Sequence, residues 1–176
     1  MAPRAADPQT GGMAGKRSAG LLLYRRVEGG IEVLVGHMGG PFFAGREAGA
    51  WSVPKGEYDA GEAPRAAARR EFEEELGLPP PEGPLVPLGE IVQRGGKTVT
   101  VWAVEADLDP ADAVPGTFTM EWPRGSGTVR EFPEMDRFAW LSPDAAAALL
   151  VQGQQAFLER LVAHLDDDPP GRVNQP

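Results

Sequence analysis

Residues 56–78 read GEYDAGEAPRAAARREFEEELGL, and this stretch decides how the rest of the chain is interpreted. Pro64 favours the first turn of a helix, where its missing N–H leaves no hydrogen bond unmade. Gly77 suits the left-handed backbone conformation that ends many helices. The stretch therefore predicts a helix over residues 64–76.

Carboxylates crowd the last turns of this predicted helix. Glu71, Glu74 and Glu75 share one face, beside a predicted apolar stripe, whereas Glu73 points elsewhere. Like charges at these spacings repel by about 0.2–0.5 kcal/mol per pair, and the helix dipole adds to the cost. Oxygen ligands that converge from one side suit magnesium or manganese, so the pattern predicts a divalent metal site. The alternative is a solvated acidic face. The predicted apolar stripe consists of Ala68, Phe72 and Leu76.

The spacing of the whole segment resembles the signature of the Nudix hydrolases. Five residues separate Gly56 from Glu62, and seven more precede the run Arg-Glu-Phe-Glu-Glu-Glu-Leu-Gly-Leu, which begins at Arg70. No specified position departs from the signature. The resemblance implies an α/β protein with the Nudix fold, a mixed β-sheet sandwiched between α-helices. It also implies an enzyme that hydrolyses a phosphoanhydride bond.

Four residues of this box are expected to have structural roles. Glycine at position 56 lets the chain turn tightly and brings the backbone close to a ligand. Arginine can hold a carboxylate with two hydrogen bonds, which would tie the loop to the helix. The four residues are Gly56, Glu62, Arg70 and Gly77.

The resemblance implies Mg²⁺ or Mn²⁺ as cofactor, held by Glu71, Glu74, Glu75 and the backbone carbonyl of Lys55. Bound metal would neutralise the phosphate oxygens, orient a water and stabilise the leaving phosphate. The side chain of Lys55 would then reach a phosphate or solvent.

The general base is left open by the sequence. Glu74 and Glu75 are candidates inside the box, and Glu131 and Glu134 are candidates outside it. Recognition of a nucleobase requires aromatic surfaces or polar edges. Aromatic candidates for a substrate pocket are Tyr58, Phe118 and Trp122.

Outside the box, the chain resembles a bacterial subgroup of Nudix proteins. The shared features are His37, Gly-Gly-Pro-Phe at 39–42, Trp-x-x-Pro-Lys-Gly at 51–56, and Glu-Phe-Pro-Glu-Met-Asp-Arg at 131–137. We expect a structural rather than a catalytic histidine. The motif at 51–56 resembles enzymes that split dinucleoside polyphosphates and some that sanitise nucleoside triphosphates. Diadenosine polyphosphate hydrolases commonly carry a tyrosine where this chain has Arg94, Gly95 and Gly96, and the proline common in ADP-ribose hydrolases is absent as well.

Composition limits the remaining possibilities. The 176 residues include no cysteine, which excludes disulfides, thiol nucleophiles and cysteine-based zinc sites. A net charge of −9 argues against electrostatic binding of a nucleic acid polymer, so the expected partner is a small phosphorylated nucleotide. Neither a membrane-spanning segment nor a secretory signal is found, which predicts a cytoplasmic protein. The oligomeric state is left open.

The chain divides into a disordered tail at 1–17, one domain at 18–165 and a second disordered tail at 166–176. Residues 79–87 are proline-rich and predicted to lack regular structure, and residues 107–136 receive no assignment. Predicted strands cover 18–26, 31–38, 51–53, 88–93, 98–106 and 138–141, and predicted helices 64–76, 142–150 and 156–165.

Two other functions deserve comparison. A catalytically silent Nudix fold could sense nucleotides or bind a protein, but such modules tend to lose box carboxylates that this chain keeps. An EF-hand is excluded because the required alternation of Asp and Asn around a glycine is missing from the sequence.

Overall fold

The computed structural model describes residues 15–169 as nine strands, three α-helices and one 3₁₀ turn. The strands are β1 (Arg17–Val27), β2 (Gly30–Met38), β3 (Trp51–Ser52), β4 (Lys55–Glu57), β5 (Val86–Val92), β6 (Thr98–Glu105), β7 (Thr117–Glu121), β8 (Val129–Pro133) and β9 (Met135–Leu141). The helices are α1 (Pro64–Leu76), α2 (Pro143–Leu149) and α3 (Gln155–Asp167).

Seven strands form one mixed sheet, in which only β1 and β6 pair in parallel. β1 and β2 pair antiparallel near their turn and then separate beyond the Tyr24–Val33 pair. β4 bonds to the first half of β1, and β3 bonds to the second half of β2. The segment from β3 to β4 therefore fills a fork in the sheet, immediately before α1.

Helices cover both faces of the sheet, as the predicted fold class requires. On one face, Leu21 and Leu34 pack against Phe72 of α1. On the other face, Val33 and Val35 belong to a second buried cluster that includes residues of α2 and α3. This packing fixes the position of α1 on the sheet. It therefore also fixes the backbone from which the carboxylates near the C-terminal end of α1 project.

Most predicted elements are confirmed, and α1 begins and ends where the sequence predicted. Three strands were missed, β4, β7 and β8, and two, β5 and β9, begin earlier than predicted. β4 was not predicted because it is short and contains glycine. β5 begins at Val86, inside the proline-rich stretch, because Pro87 lies beside a register shift in the β5–β6 pairing. The unassigned residues 107–136 contain the β7–β8 hairpin, a separate two-stranded sheet.

Both predicted tails include residues that belong to a strand or a helix in the structure. β1 starts at Arg17, and α3 continues to Asp167. The rest of those tails, residues 1–14 and 170–176, lies outside the described residues. None of the helices in residues 15–169 is long and apolar enough to cross a membrane.

Candidate active site

The carboxylates of α1 project from a helix that is locked in place. Phe72 is fully buried, and Gly77 ends the helix with φ of 67° while its N–H donates to the Glu73 carbonyl at 2.7 Å. Glu75 is buried, whereas Glu74 has a side chain that is 55% exposed. The exposure of the carboxylates on this face therefore increases from Glu75, next to the core, to Glu74, next to solvent.

Gly56 allows one of these carboxylates to approach the sheet. A Cβ at this position would collide with the Glu71 carboxylate, which packs directly on the Gly56 backbone. Gly56 is an ordinary strand residue paired with Ala19. The expected tight turn is therefore absent. Glycine is required at this position because any side chain would displace the Glu71 carboxylate.

Glu75 and Lys55 meet where β4 faces α1. The Lys55 backbone N–H donates to the Glu75 carboxylate at 3.0 Å. Burial, together with the negative charges of Glu71 and Glu134, raises the pKa of Glu75 to about 8, against the opposing effect of Lys55. Burial also lowers the pKa of Lys55, although Glu75 opposes that change. The site thus disfavours both charges unless another charged group enters it.

Arg70 joins the box loop to the helix. Its guanidinium donates two hydrogen bonds to Glu62, at 2.8 and 2.9 Å, as the sequence suggested. The same guanidinium donates to Glu71 at 2.7 Å and to Glu74 at 3.2 Å. These contacts raise the pKa of Arg70 and compensate part of the charge on the helix face.

A cavity of about 240 Å³ adjoins this cluster. Three charged residues that line it were predicted as site residues: Lys55, Glu75 and Glu134. Burial, followed by the charge of Glu74, raises the pKa of Glu134. The cavity therefore combines carboxylates from the box and from outside it with one lysine.

The backbone of Glu134 is held from both sides. Its N–H donates to the Gly116 carbonyl at 2.8 Å, and its carbonyl accepts from Gly39 at 2.9 Å. Gly116 in turn donates to the Glu74 carbonyl at 3.1 Å, which links Glu134 to the end of α1. Glu131 lies on β8, opposite Thr119, and does not line the cavity. Both glutamates are exposed residues, so the cavity lining, not burial class, separates them.

The predicted aromatic residues separate into different environments. Phe118 lines the cavity and packs near Phe132, with ring centroids 5.9 Å apart. Trp122, near the tip of the β7–β8 hairpin, makes an edge contact of 5.5 Å with Phe42, which is 51% exposed. The hairpin and the loop at 39–49 thus bring aromatic groups together beside the cavity.

Tyr58 belongs to a different part of the molecule. It lines a second cavity of about 360 Å³, together with Glu62 and Arg70. That cavity includes neither Lys55 nor Glu134 among its lining residues. The structure therefore does not bring Tyr58 together with the other predicted substrate residues.

Sequence reasoning did not identify several residues of the first cavity. The Gly-Gly-Pro-Phe motif pointed to the loop but not to the phenylalanine that follows it. The motifs at 51–56 and 131–137 include two of the others but did not mark them as site residues, because long-range pairing of β2, β3 and β9 brings these residues together. These residues are Met38, Phe43, Ser52 and Met135.

The donor set suits a divalent metal, although the present arrangement does not form a finished site. Carboxylate oxygens are the ligands that Mg²⁺ and Mn²⁺ prefer. After burial, the charge of Glu134 raises the pKa of both Glu71 and Glu75, which indicates a concentration of negative charge. Within residues 15–169, no three His, Asp or Glu side chains are arranged to share one ion. Glu71 and Glu74 bind the Arg70 guanidinium instead.

Comparisons with known proteins agree with this architecture. The RNA pyrophosphohydrolase of Rhodospirillum rubrum is 29% identical over 157 residues, covering 84% of this chain and 90% of that protein. The structure of a Caenorhabditis elegans Ap4A hydrolase complex has a TM-score of 0.57 and 22% identity, covering 86% of this chain and 98% of its own. The NUDIX domain of Shewanella oneidensis NrtR, complexed with ADP ribose, has a TM-score of 0.60 and 14% identity, covering 91% and 94%. The two structures show the shared fold.

A family model supplies the assignment. The NUDIX domain model matches residues 15–161, which include every element of the sheet and the whole box. The chain therefore belongs to the NUDIX family.

Proposed function

We propose that this protein is a metal-dependent hydrolase that cleaves a phosphoanhydride bond in a nucleoside diphosphate linked to another moiety. The proposed substrate is a dinucleoside polyphosphate or a nucleoside triphosphate. Family membership carries the coarser statement, that the chain is a Nudix pyrophosphohydrolase. The observation that carries the proposal is the cavity that joins Lys55 and Glu75 to Glu134.

Glu71, Glu74, Glu75 and the Lys55 carbonyl would hold Mg²⁺ or Mn²⁺. Such ions supply charge neutralisation on the phosphate, a nucleophilic water at neutral pH and stabilisation of the leaving group. The raised pKa values of Glu71 and Glu75 support this assignment, because a nearby cation stabilises the ionised form of each. To act as metal ligands, Glu71 and Glu74 must give up their hydrogen bonds from Arg70. Arg70 would keep its two hydrogen bonds to Glu62.

Glu134 is the proposed general base. It lines the cavity, its pKa is raised by burial, and its backbone hydrogen bonds fix it relative to the end of α1. A base with a pKa raised toward the working pH removes a proton from water more effectively than an ordinary carboxylate. Glu131 is exposed outside this cavity, and Glu74 and Glu75 are assigned to metal, so Glu134 is preferred over all three.

Substrate recognition is assigned to Lys55, Phe118 and Trp122. The Lys55 side chain is partly buried beside Glu75, where its positive charge can neutralise a phosphate oxygen. Phe118 lines the cavity, and Trp122 contacts the half-exposed Phe42, whose neighbour Phe43 also lines it. Aromatic rings at these positions can stack on a nucleobase. Tyr58 is left out of this assignment because it lines the other cavity.

A substrate panel tests the proposal. The panel contains diadenosine tetraphosphate, canonical and oxidised nucleoside triphosphates, ADP-ribose, a nucleotide sugar and 5′-triphosphorylated RNA, with products separated by chromatography. RNA is included because the relative from R. rubrum is an RNA pyrophosphohydrolase. We expect hydrolysis of the dinucleotide or a triphosphate that requires added Mg²⁺ or Mn²⁺. Flat activity across the panel would favour the silent nucleotide-sensing module.

Neighbouring residues of α1 provide a matched pair of variants. Glu74→Gln should lower turnover by orders of magnitude and weaken metal binding, whereas Glu73→Gln should leave both unchanged. Both side chains are exposed on α1, so neither change should disturb folding. Equal turnover in the two variants would remove Glu74 from the metal site.

A further inference from the structure

His37 lies buried at the end of β2, with an acceptor against each ring nitrogen. Its Nε2 is 2.7 Å from the Arg46 carbonyl oxygen, and its Nδ1 is 2.8 Å from a carboxylate oxygen of Asp136. A carbonyl oxygen only accepts, so Nε2 must carry a proton. The second contact also needs a proton, either on Nδ1 or on the carboxyl group. The pair therefore holds one proton more than a neutral imidazole and a carboxylate would.

A β-bulge brings Asp136 to this position. His37 pairs with Arg137 and Met38 pairs with Met135, which leaves Asp136 as the extra residue of β9. A bulge changes the direction of the side chains next to it. Here it turns the Asp136 carboxylate toward His37, two residues after Glu134 and next to Met135, both of which line the cavity.

The other partner of His37 belongs to the opposite side of the cavity. Arg46 lies in the loop at 39–49, which also carries Phe43 into the cavity lining. Gly39, at the start of that loop, donates to the Glu134 carbonyl, and a Cβ there would collide with the Pro133 carbonyl. One imidazole thus joins the loop to the strand that follows Glu134.

The surroundings of the ring leave no path to substrate. Trp51 makes an edge contact with His37 at 5.4 Å between ring centroids. The Trp51 indole donates to Glu47 at 3.0 Å, and Glu47 also accepts from Arg137, which lies over the Trp51 ring. His37 itself is 2% exposed and does not line the cavity. Any effect on catalysis must therefore act through its neighbours.

We propose that His37 is a positioning residue, whose two ring nitrogens hold the loop at 39–49 to Asp136 in the β9 bulge and thereby fix Glu134 in the cavity. The part of this proposal that concerns Glu134 rests on the proposed function. The two hydrogen bonds of the ring do not, because they are independent of the reaction.

Nuclear magnetic resonance of the full chain tests the two ring hydrogen bonds without any substrate. With ¹⁵N-labelled histidine, the spectrum contains only two imidazoles, and the exposed His164 on α3 serves as an internal reference. We expect a proton on Nε2 of His37 and a hydrogen-bonded proton between Nδ1 and Asp136. In Asp136→Asn, whose amide can donate to Nδ1, the bond at Nδ1 should change while the proton on Nε2 stays. A His37 Nε2 without a proton in the unchanged protein would overturn the proposal.

A double-mutant cycle tests the link to Glu134. His37→Gln should lower kcat about 10- to 100-fold, the size expected when a reacting group is misplaced, with a smaller change in KM. In a Glu134→Gln background the same substitution should change kcat little, because the group that it positions is already gone. Equal losses in the two backgrounds would show a structural role only and would overturn the positioning role.

Asp136→Ala removes the carboxylate partner of His37 and repeats the cycle. It replaces His37→Gln if that variant does not fold. If no substrate is hydrolysed, the proposed function fails while the resonance result still decides whether His37 makes its two hydrogen bonds.

Discussion

The two sides of the cavity are built from different kinds of sequence. The inner wall consists of Lys55 of β4 and Glu75 of α1, and Glu71 lies behind it against Gly56. The outer wall consists of residues from a loop, a hairpin and a strand junction: Phe43, Phe118 and Glu134. A local motif sets the spacing of the inner wall, whereas long-range pairing assembles the outer wall. Under the proposed function, a local motif thus supplies the metal ligands, whereas distant contacts place the proposed base and the aromatic surface.

The largest effect is expected where the outer wall takes part in the chemistry. Glu134→Gln should lower kcat by about 10²–10⁴-fold, the usual contribution of a general base, and should remove the lower limb of the pH–rate profile. Glu131→Gln, on the exposed face of β8, should change kcat less than threefold. Steady-state kinetics over a range of pH measures both. If the two variants lose activity equally, the base lies elsewhere and the outer wall serves only binding.

The inner wall should be nearly as sensitive to a single methyl group. Gly56→Ala forces the Glu71 carboxylate away from β4, and a displacement of about 1 Å can lower turnover about 10²-fold. Gly61→Ala is the matched control, because a Cβ there meets nothing within 4 Å. Turnover and metal titration of both variants give the comparison. Wild-type turnover in Gly56→Ala would mean that Glu71 need not approach β4.

These two walls also show what the sequence could predict. The box predicted α1 residue by residue, including Gly77, because local patterns determine a helix and its end. The fold class followed from the family resemblance, which the NUDIX match confirms. Of the two reasons given for Gly56, the tight turn is wrong because the residue lies in a strand, and the group that closely approaches its backbone is the Glu71 carboxylate. Residue spacing identifies an unusual glycine but not the group that approaches it.

The outer wall could not be derived in the same way. Glu131 and Glu134 looked equivalent in sequence, but only Glu134 lines the cavity, where its backbone hydrogen bonds to Gly116 and Gly39 hold it. Those bonds join segments far apart in the chain, which periodicity does not reveal. Tyr58 lies inside the box, yet the loop directs it to the other cavity. Proximity in sequence was therefore a poor guide to proximity in the site.

A smaller effect is expected from the aromatic edge of the outer wall. Trp122→Ala removes the ring that supports Phe42. An aromatic contact contributes about 0.5–1.5 kcal/mol, so KM should rise about 2- to 12-fold with little change in kcat. Phe42→Ala should have a similar effect. Hydrolysis of inorganic pyrophosphate, which has no nucleobase, should be unchanged in both variants. A fall in kcat without a change in KM would instead assign the hairpin to catalysis.

The smallest effect concerns the pH dependence of stability, which is a property of the inner wall. Burial raises the pKa of Glu75 from its ordinary value of 4.5 to about 8. Between these values the folded protein retains a proton that the unfolded chain has released, so the free energy of unfolding falls as pH rises. The metal-free protein should therefore lose up to about 10 °C in Tm from about pH 5 to about pH 8, since one pKa unit corresponds to about 1.4 kcal/mol and about 1 kcal/mol to about 2–4 °C in a domain of this size.

Glu75→Gln should remove most of that slope, because the amide does not titrate. Glu57 and Glu62 have lowered pKa values, so the stability that they contribute is lost only below about pH 4.5, outside this window. Mg²⁺ or Mn²⁺ should restore the Tm of the unchanged protein most strongly near pH 8, because a ligand carboxylate must be ionised to bind metal. Calorimetry of the two proteins with and without metal gives the four curves. Parallel curves for the metal-free proteins would mean that Glu75 is ionised in the folded state without a cation, and the inner wall would then need none.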